Sequence, residues 1–168
     1  MPQAVSQLAR GYSNTFLGVL VMVPHLVGVV VMVLVSRSSD RTLERRYHAA
    51  IPLVAGAVAL MLLSTTSSVW MTLMLWSVIA AGIYSFLGPF WSLPSEFLSG
   101  LSAAAGIALI NSIGNLGGFV GPSAIGVLTK QVGGIYTGLR LVGCSLLLSA
   151  VLLLLLPKTN HSSGTGGA

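Results

Sequence analysis

One short charged island interrupts an otherwise almost chargeless apolar chain. It reads Ser36-Arg37-Ser38-Ser39-Asp40-Arg41-Thr42-Leu43-Glu44-Arg45-Arg46-Tyr47-His48 and holds six of the chain's 11 charged residues (8 basic, 3 acidic). Long apolar runs flank it on both sides, and runs of this kind have no polar face to show to water. A bilayer resolves the problem: two spanning helices joined by a basic loop on the cytoplasmic side.

Composition agrees. Of 168 residues, 54% are hydrophobic and 7% charged, and mean hydropathy is +0.92; soluble domains carry about 25% charged residues. The expected class is an all-α polytopic membrane protein. The 20 glycines fit, because small residues let membrane helices approach closely. The net charge of +5 comes from a few loop residues, which are topology signals and not a nucleic-acid surface. A single cysteine, Cys144, excludes an internal disulfide. It lies in an apolar run, so ordinary helix packing is favoured over a reactive thiol. Met1-Pro2-Gln3-Ala4-Val5 lacks the basic region and cleavage site of a signal peptide.

Five spans are expected, at residues 12–36, 49–64, 69–93, 101–128 and 136–156. The second is the shortest; each reaches or approaches the roughly 20 residues that cross a bilayer. Pro24-His25 interrupts the first, and Pro52 sits in the first turn of the second, where a missing N–H costs little. Trp70 and Trp91 mark the ends of the third, consistent with interfacial aromatics. Pro94 to Gly100 reads as the next loop, and Thr129 to Gly134 ends the fourth span. The Gly/Ser/Thr-rich tail 158–168 is expected to be disordered. Arginines 37, 41, 45 and 46 place the island in the cytoplasm. The N-terminus is then outside and the C-terminus cytoplasmic, with Lys158 in agreement and Arg10, Lys130 and Arg140 as exceptions. An external N-terminus without a translocation signal implies that a preceding helix is missing.

The island resembles the loop signature in the second half of major facilitator superfamily transporters: a small residue, a spacer, Asp-Arg, then two basic residues. Here these are Ser36, Asp40-Arg41 and Arg45-Arg46, with Ser36 standing where the superfamily usually has Gly. The form Asp-Arg-x-x-Glu-Arg-Arg-x-His, Asp40 to His48, resembles the anion:cation symporter family within it, which contains the tartrate, phthalate and glucarate permeases. So does the stretch from Phe90-Trp91-Ser92-Leu93-Pro94-Ser95-Glu96 through Asn111-Ser112-Ile113-Gly114-Asn115-Leu116-Gly117-Gly118-Phe119-Val120-Gly121-Pro122. The resemblance covers about Pro2 to Leu156 and implies helices eight to twelve of a major facilitator fold, with Pro2-Gln3 just after helix seven. It implies that an N-terminal half and helix seven are missing from this chain, as in a fragment or truncated reading frame. It further implies secondary transport of small organic anions across a bacterial inner membrane with a proton or sodium ion. No cofactor is implied.

Several residues are candidates for such a role. Asn111, Asn115, Gly118 and Pro122 recur at helical spacing and share one face. Two amides inside a bilayer need partners, so Asn111 and Asn115 are expected to face the bundle interior. Lining a substrate cavity and holding neighbouring helices are both open readings. Gly114, Gly117 and Gly121 lie on an adjacent face, and Gly117-x-x-x-Gly121-Pro122 resembles the superfamily's Gly-Pro motif. Close packing is the first reading there and hinging the second. Tyr84, Gly88 and Trp91 share a face of the third span, with Gly88-Pro89 as a kink; the Tyr84 hydroxyl is suited to a carboxylate. Histidine is the side chain that titrates near neutrality, and His25 reads either as a proton relay or as a neutral ring bonded to a neighbouring helix. Glu96 reads as a helix cap or a loop ion pair. In the island, an Asp at a helix end can pair with Arg, which makes Asp40, Arg41, Arg45 and Arg46 a candidate conformational latch.

Enzyme chemistry finds no motif: no His-Glu-x-x-His, no Gly-x-Ser-x-Gly and no phosphate-cradling Gly-x-x-x-x-Gly-Lys-Ser/Thr. Metal ligands are not indicated. Ion-coupled movement of a small solute is the simplest function left, with a non-transporting membrane scaffold or partner subunit as the alternative.

Overall fold

The computed structural model describes residues 13–132 and 135–157. The tail 158–168, Met1, Pro2-Gln3 and Arg10 lie outside the described residues, as does the side chain of Lys130. Five helices follow one another: α1 (Asn14–Thr42), α2 (Arg45–Leu62), α3 (Val69–Phe97), α4 (Gly100–Val132) and α5 (Ile135–Leu155). A short 3-10 turn, Leu63–Thr65, follows α2, and the described residues contain no strand. All five helices are long and apolar enough to cross a membrane.

The helices outrun the hydropathy boundaries. Ser13 caps α1 by accepting a hydrogen bond from the Phe16 N–H at 3.3 Å. The helix then continues through the first half of the charged island and stops at Thr42, with Arg41 in its last turn, where a cation favours the helix dipole. Its 29 residues span about 44 Å, more than the ~30 Å hydrocarbon core, so its island end projects beyond the apolar zone. Only Leu43 and Glu44 connect α1 to α2. Similarly, Pro94 to Phe97 stay helical, leaving Leu98 and Ser99 as the link from α3 to α4. Loop residues look polar in sequence, but solvated helix ends tolerate the same side chains.

The tight α1–α2 turn has a backbone cost. Leu43 adopts φ 55°, ψ 20°, the left-handed region that disfavours any residue with a Cβ, and its side chain is exposed.

Helix α3 is the centre of the assembly. Helices α1 and α2 pack along it, and α5 packs on the other side of α2. Near the island end, Ala49, Ala50 and Leu53 of α2 meet Leu93 of α3 and Ala150 and Leu153 of α5. At the far end, Ala59 and Leu60 pack with Ile79, against Leu139 and Val142. Leu20 and Leu73 join α1 to α3. Small residues set the closest approaches. A Cβ on Gly82 of α3 would collide with the Pro52 carbonyl oxygen and lie 3.2 Å from the Gly56 Cα. A Cβ on Gly88 would collide with Ser36 Oγ, so Ser36 does permit close packing here provided that its partner is glycine. Helix α4 meets α3 and α5 only sparsely.

Three outcomes follow. Gly82→Ala forces α2 and α3 apart and should destabilise the folded protein by about 2 kcal/mol; Gly18→Ala, where a Cβ meets nothing within 4 Å, should be neutral or slightly stabilising. Leu43→Gly should stabilise it by about 1 kcal/mol by relieving the left-handed backbone. Thermal unfolding in detergent, read by circular dichroism, ranks the three against the parent chain.

Candidate functional site

Two polar constellations stand out, one at the island end and one within the apolar zone. The first centres on Arg45, at the start of α2. Its Nη1 donates to Asp40 Oδ1 and, at 3.3 Å, to Ser39 Oγ, both in the last turns of α1. Its Nε donates to Glu96 Oε1 at 3.3 Å, in the last turn of α3. One guanidinium thus ties three helices. The two ion pairs differ in worth. Asp40 is 65% exposed, and such a pair contributes about 0–1 kcal/mol. Arg45 and Glu96 are 14% and 12% exposed, so screening is weaker and removing either leaves a poorly solvated charge.

The rest of the turn is pinned by hydrogen bonds. Ser39, fully buried, donates to the Glu44 carbonyl at 3.3 Å. His48 Nδ1 lies 2.6 Å from the same carbonyl, so it carries the proton, and Nε2 accepts from the Ser38 hydroxyl at 3.0 Å in the neutral ring. Arg46 joins neither ion pair. It donates to the Leu153 and Leu154 carbonyls and so caps the end of α5. Arg41 is exposed and forms no ion pair among the described residues. Of the four proposed latch residues, Asp40 and Arg45 come together, and Glu96 completes the group. Glu96 was expected as a helix cap or a loop ion pair; it does form an ion pair, but from the last turn of α3 and not from a loop, and its partner was not legible, because 51 residues separate the two.

The second constellation pairs His25 of α1 with Tyr84 of α3. Nδ1 and the phenol oxygen are 2.7 Å apart, and the rings stack with centroids 6.1 Å apart and planes 27° apart. Gly28, one turn on from His25, makes room for the phenol: a Cβ there would come within 2.7 Å of Tyr84 Cδ2 and 3.1 Å of the Ala80 carbonyl carbon. Tyr84 is half-buried and His25 exposed. Pro89, where a kink was expected, is buried, and α3 runs through it without a break; Trp91 is half-buried and packs edge-on against Phe90.

Helix α4 departs from expectation. Asn111 and Asn115 are exposed, so within this chain they do not face the bundle interior. No neighbouring atom lies within 4 Å of a Cβ built on Gly114, Gly117, Gly118 or Gly121, and Pro122 is exposed too. The glycine face is therefore not used for packing among the described residues. Helical spacing identified a shared face correctly but carried no information on what covers it. A groove of about 320 Å³ between α1, α2 and α3 is unsuited to a polar ligand: it is lined by Val27, Val31, Ile51 and Val78, and its single hydroxyl, Ser77, already donates to the Leu73 carbonyl at 2.8 Å.

The chain is 44% identical over 95% of its length to a "Putative tartrate transporter" of Agrobacterium vitis, and 41% identical over 97% to a second. It is 38% identical over 90% of its length to a "Quinolone resistance transporter" of Acinetobacter baumannii. It belongs to their family of membrane transporters. The chain spans about a third of the length of these relatives (35%, 37% and 35%). No family model matches the chain, and no solved structure matches it.

The Arg45 node predicts a graded response. Arg45→Ala should destabilise the folded protein by about 3 kcal/mol by stripping Glu96 of this partner. Arg45→Lys should recover little, because one ammonium cannot serve both carboxylates at this geometry. Asp40→Asn should cost under about 1 kcal/mol. Thermal melts in detergent test the order.

Proposed function

We propose that this chain supplies five helices, equivalent to helices eight to twelve, of a secondary active transporter that moves small organic anions with a coupling cation across a bacterial inner membrane. The observation that carries the reading is the 44% identity to a putative tartrate transporter over nearly the whole chain. Supporting it are five apolar helices, a basic helix connection and a polar dyad inside the apolar zone. The remaining helices come from an N-terminal segment, which packs on the exposed face of α4. There Asn111 and Asn115 line the substrate cavity, and Gly114, Gly117, Gly118, Gly121 and Pro122 permit close packing or hinging. Arg45 with Asp40 and Glu96 serves as a latch: the pair to Glu96 holds the ends of α2 and α3 together in one conformation and weakens in the other.

Transport by rocking needs two bundles about a shared cavity, so these helices alone are expected not to carry solute. Fusing them to the N-terminal segment of the 44% identical relative should restore tartrate uptake in cells lacking their own carrier. Absence of uptake from a chimera that inserts and is monodisperse would reject the reading. Orientation has its own test. Arg37 and Arg41 are exposed whereas Ser39 is buried, so cysteine is placed at either arginine. An impermeant maleimide should label Arg37→Cys only after the cells are opened; labelling of intact cells would invert the topology.

A further inference from the structure

The dyad of His25 and Tyr84 has an unused half. The phenol engages Nδ1, while Nε2 has no partner among the described residues and the imidazole is exposed on α1. A ring nitrogen left open to hydrocarbon is costly, so this face is suited to a polar cavity rather than to lipid. The dyad is also electrically isolated. Roughly 18 Å of helix separates His25 from Arg37, and about the same separates Tyr84 from Glu96. The elements packed on α1 are α3 and, slightly, α2. Their charged residues, Glu96, Arg45 and Arg46, lie at the island end with Tyr47 and His48, as do Arg37, Asp40 and Arg41 of α1 itself. His48 bonds to Ser38 there. Among the described residues, the one titratable group facing His25 is therefore Tyr84.

We propose that His25 and Tyr84 form a carboxylate subsite that matches its ligand only when His25 takes up a proton, so that the coupling ion is a proton and is carried at this dyad. The inference rests on the transporter reading above. The chemistry follows from counting hydrogens. In one neutral tautomer Tyr84 donates to Nδ1, leaving an Nε2 donor and a phenol lone pair facing outward. In the other, Nδ1 donates to the phenol oxygen, leaving an O–H donor and an Nε2 acceptor. Either way the neutral dyad shows one donor and one acceptor, and the acceptor opposes a carboxylate, which only accepts. Protonation changes both terms. Nδ1–H then donates to the phenol oxygen, the O–H and Nε2–H both point outward as donors, and the pair carries a positive charge. In a low-dielectric zone without other charges, the cation and the carboxylate favour each other's binding, and the coupling is reciprocal. Gly28 supports the site by admitting the phenol ring to hydrogen-bond distance.

The experiment uses the chimera described above, purified in detergent and weakly buffered near pH 8, where tartrate is fully ionised and a histidine is largely neutral (ordinary pKa about 6.5). Tartrate is the probe, its binding is measured by calorimetry, and proton uptake is read by a pH dye. The parent chimera should take up about one proton per tartrate bound, and its Kd should weaken about tenfold per pH unit above neutrality. His25→Gln, which keeps a hydrogen bond to Tyr84 but cannot charge, should bind more weakly, without proton uptake and without pH dependence. Tyr84→Phe should keep the proton uptake and weaken binding about tenfold, by loss of one hydrogen bond to a charged group. Proton uptake retained in His25→Gln overturns the proposal. So does tartrate binding by the parent without proton uptake, a measurement that needs no variant to fold; in both cases the transporter reading survives. Failure of the parent to bind tartrate at any pH removes the organic-anion reading and this proposal with it.

Discussion

Where α3 crosses α2, backbone meets backbone. Gly82 lies against the Pro52 carbonyl and Gly56, and no side chain separates them. In a bilayer this matters more than in water, because lipid tails are as apolar as leucine and give helices little reason to associate. Dispersion at close range must hold the bundle, and it falls steeply with small gaps. The crossing also sets the rotation of α3. Ile79 is thereby turned into the α2–α5 contact, Leu93 into the cluster with Ala49, Ala50 and Ala150, and Tyr84 towards α1. Gly28 and Gly88 repeat the device on the α1 side, against Tyr84 and Ser36.

The charged end depends on that arrangement. Arg45 reaches Asp40 and Glu96 together because α1, α2 and α3 all end or begin at one level. The left-handed Leu43 keeps the α1–α2 connection to two residues, and Ser39 and His48 fill the turn's hydrogen-bonding needs from within. All three acidic residues of the chain, Asp40, Glu44 and Glu96, lie at this end. The dyad of His25 and Tyr84 lies away from them, about 18 Å of helix from Arg37 on α1 and from Glu96 on α3.

Helix α4 behaves unlike its neighbours. Its sequence is the richest in signals of close packing, with glycines at 114, 117, 118 and 121 beside two asparagines, yet these positions are open. A helix with amides and glycines on open faces is suited to contact with another bundle rather than with lipid, which satisfies neither.

Much was legible from order along the chain. Hydropathy alone separates five apolar helices from their connections, because the cost of burying charge in a bilayer is local to each segment. The island marked the helix connection that carries the ion pairs, and resemblance placed the chain among transporters. Boundaries were less legible, since Arg37 to Thr42 and Pro94 to Phe97 are polar in sequence but helical. Pairings were not legible at all. His25 and Tyr84 were separate candidates 59 residues apart, and Glu96 had no named partner. Which way each helix is rotated follows from glycine contacts between distant segments, and no single segment records it. The sequence by itself determined how many helices cross and where charge is confined. Only the tertiary structure decided which side chains meet, because that choice belongs to the close packing of helix on helix.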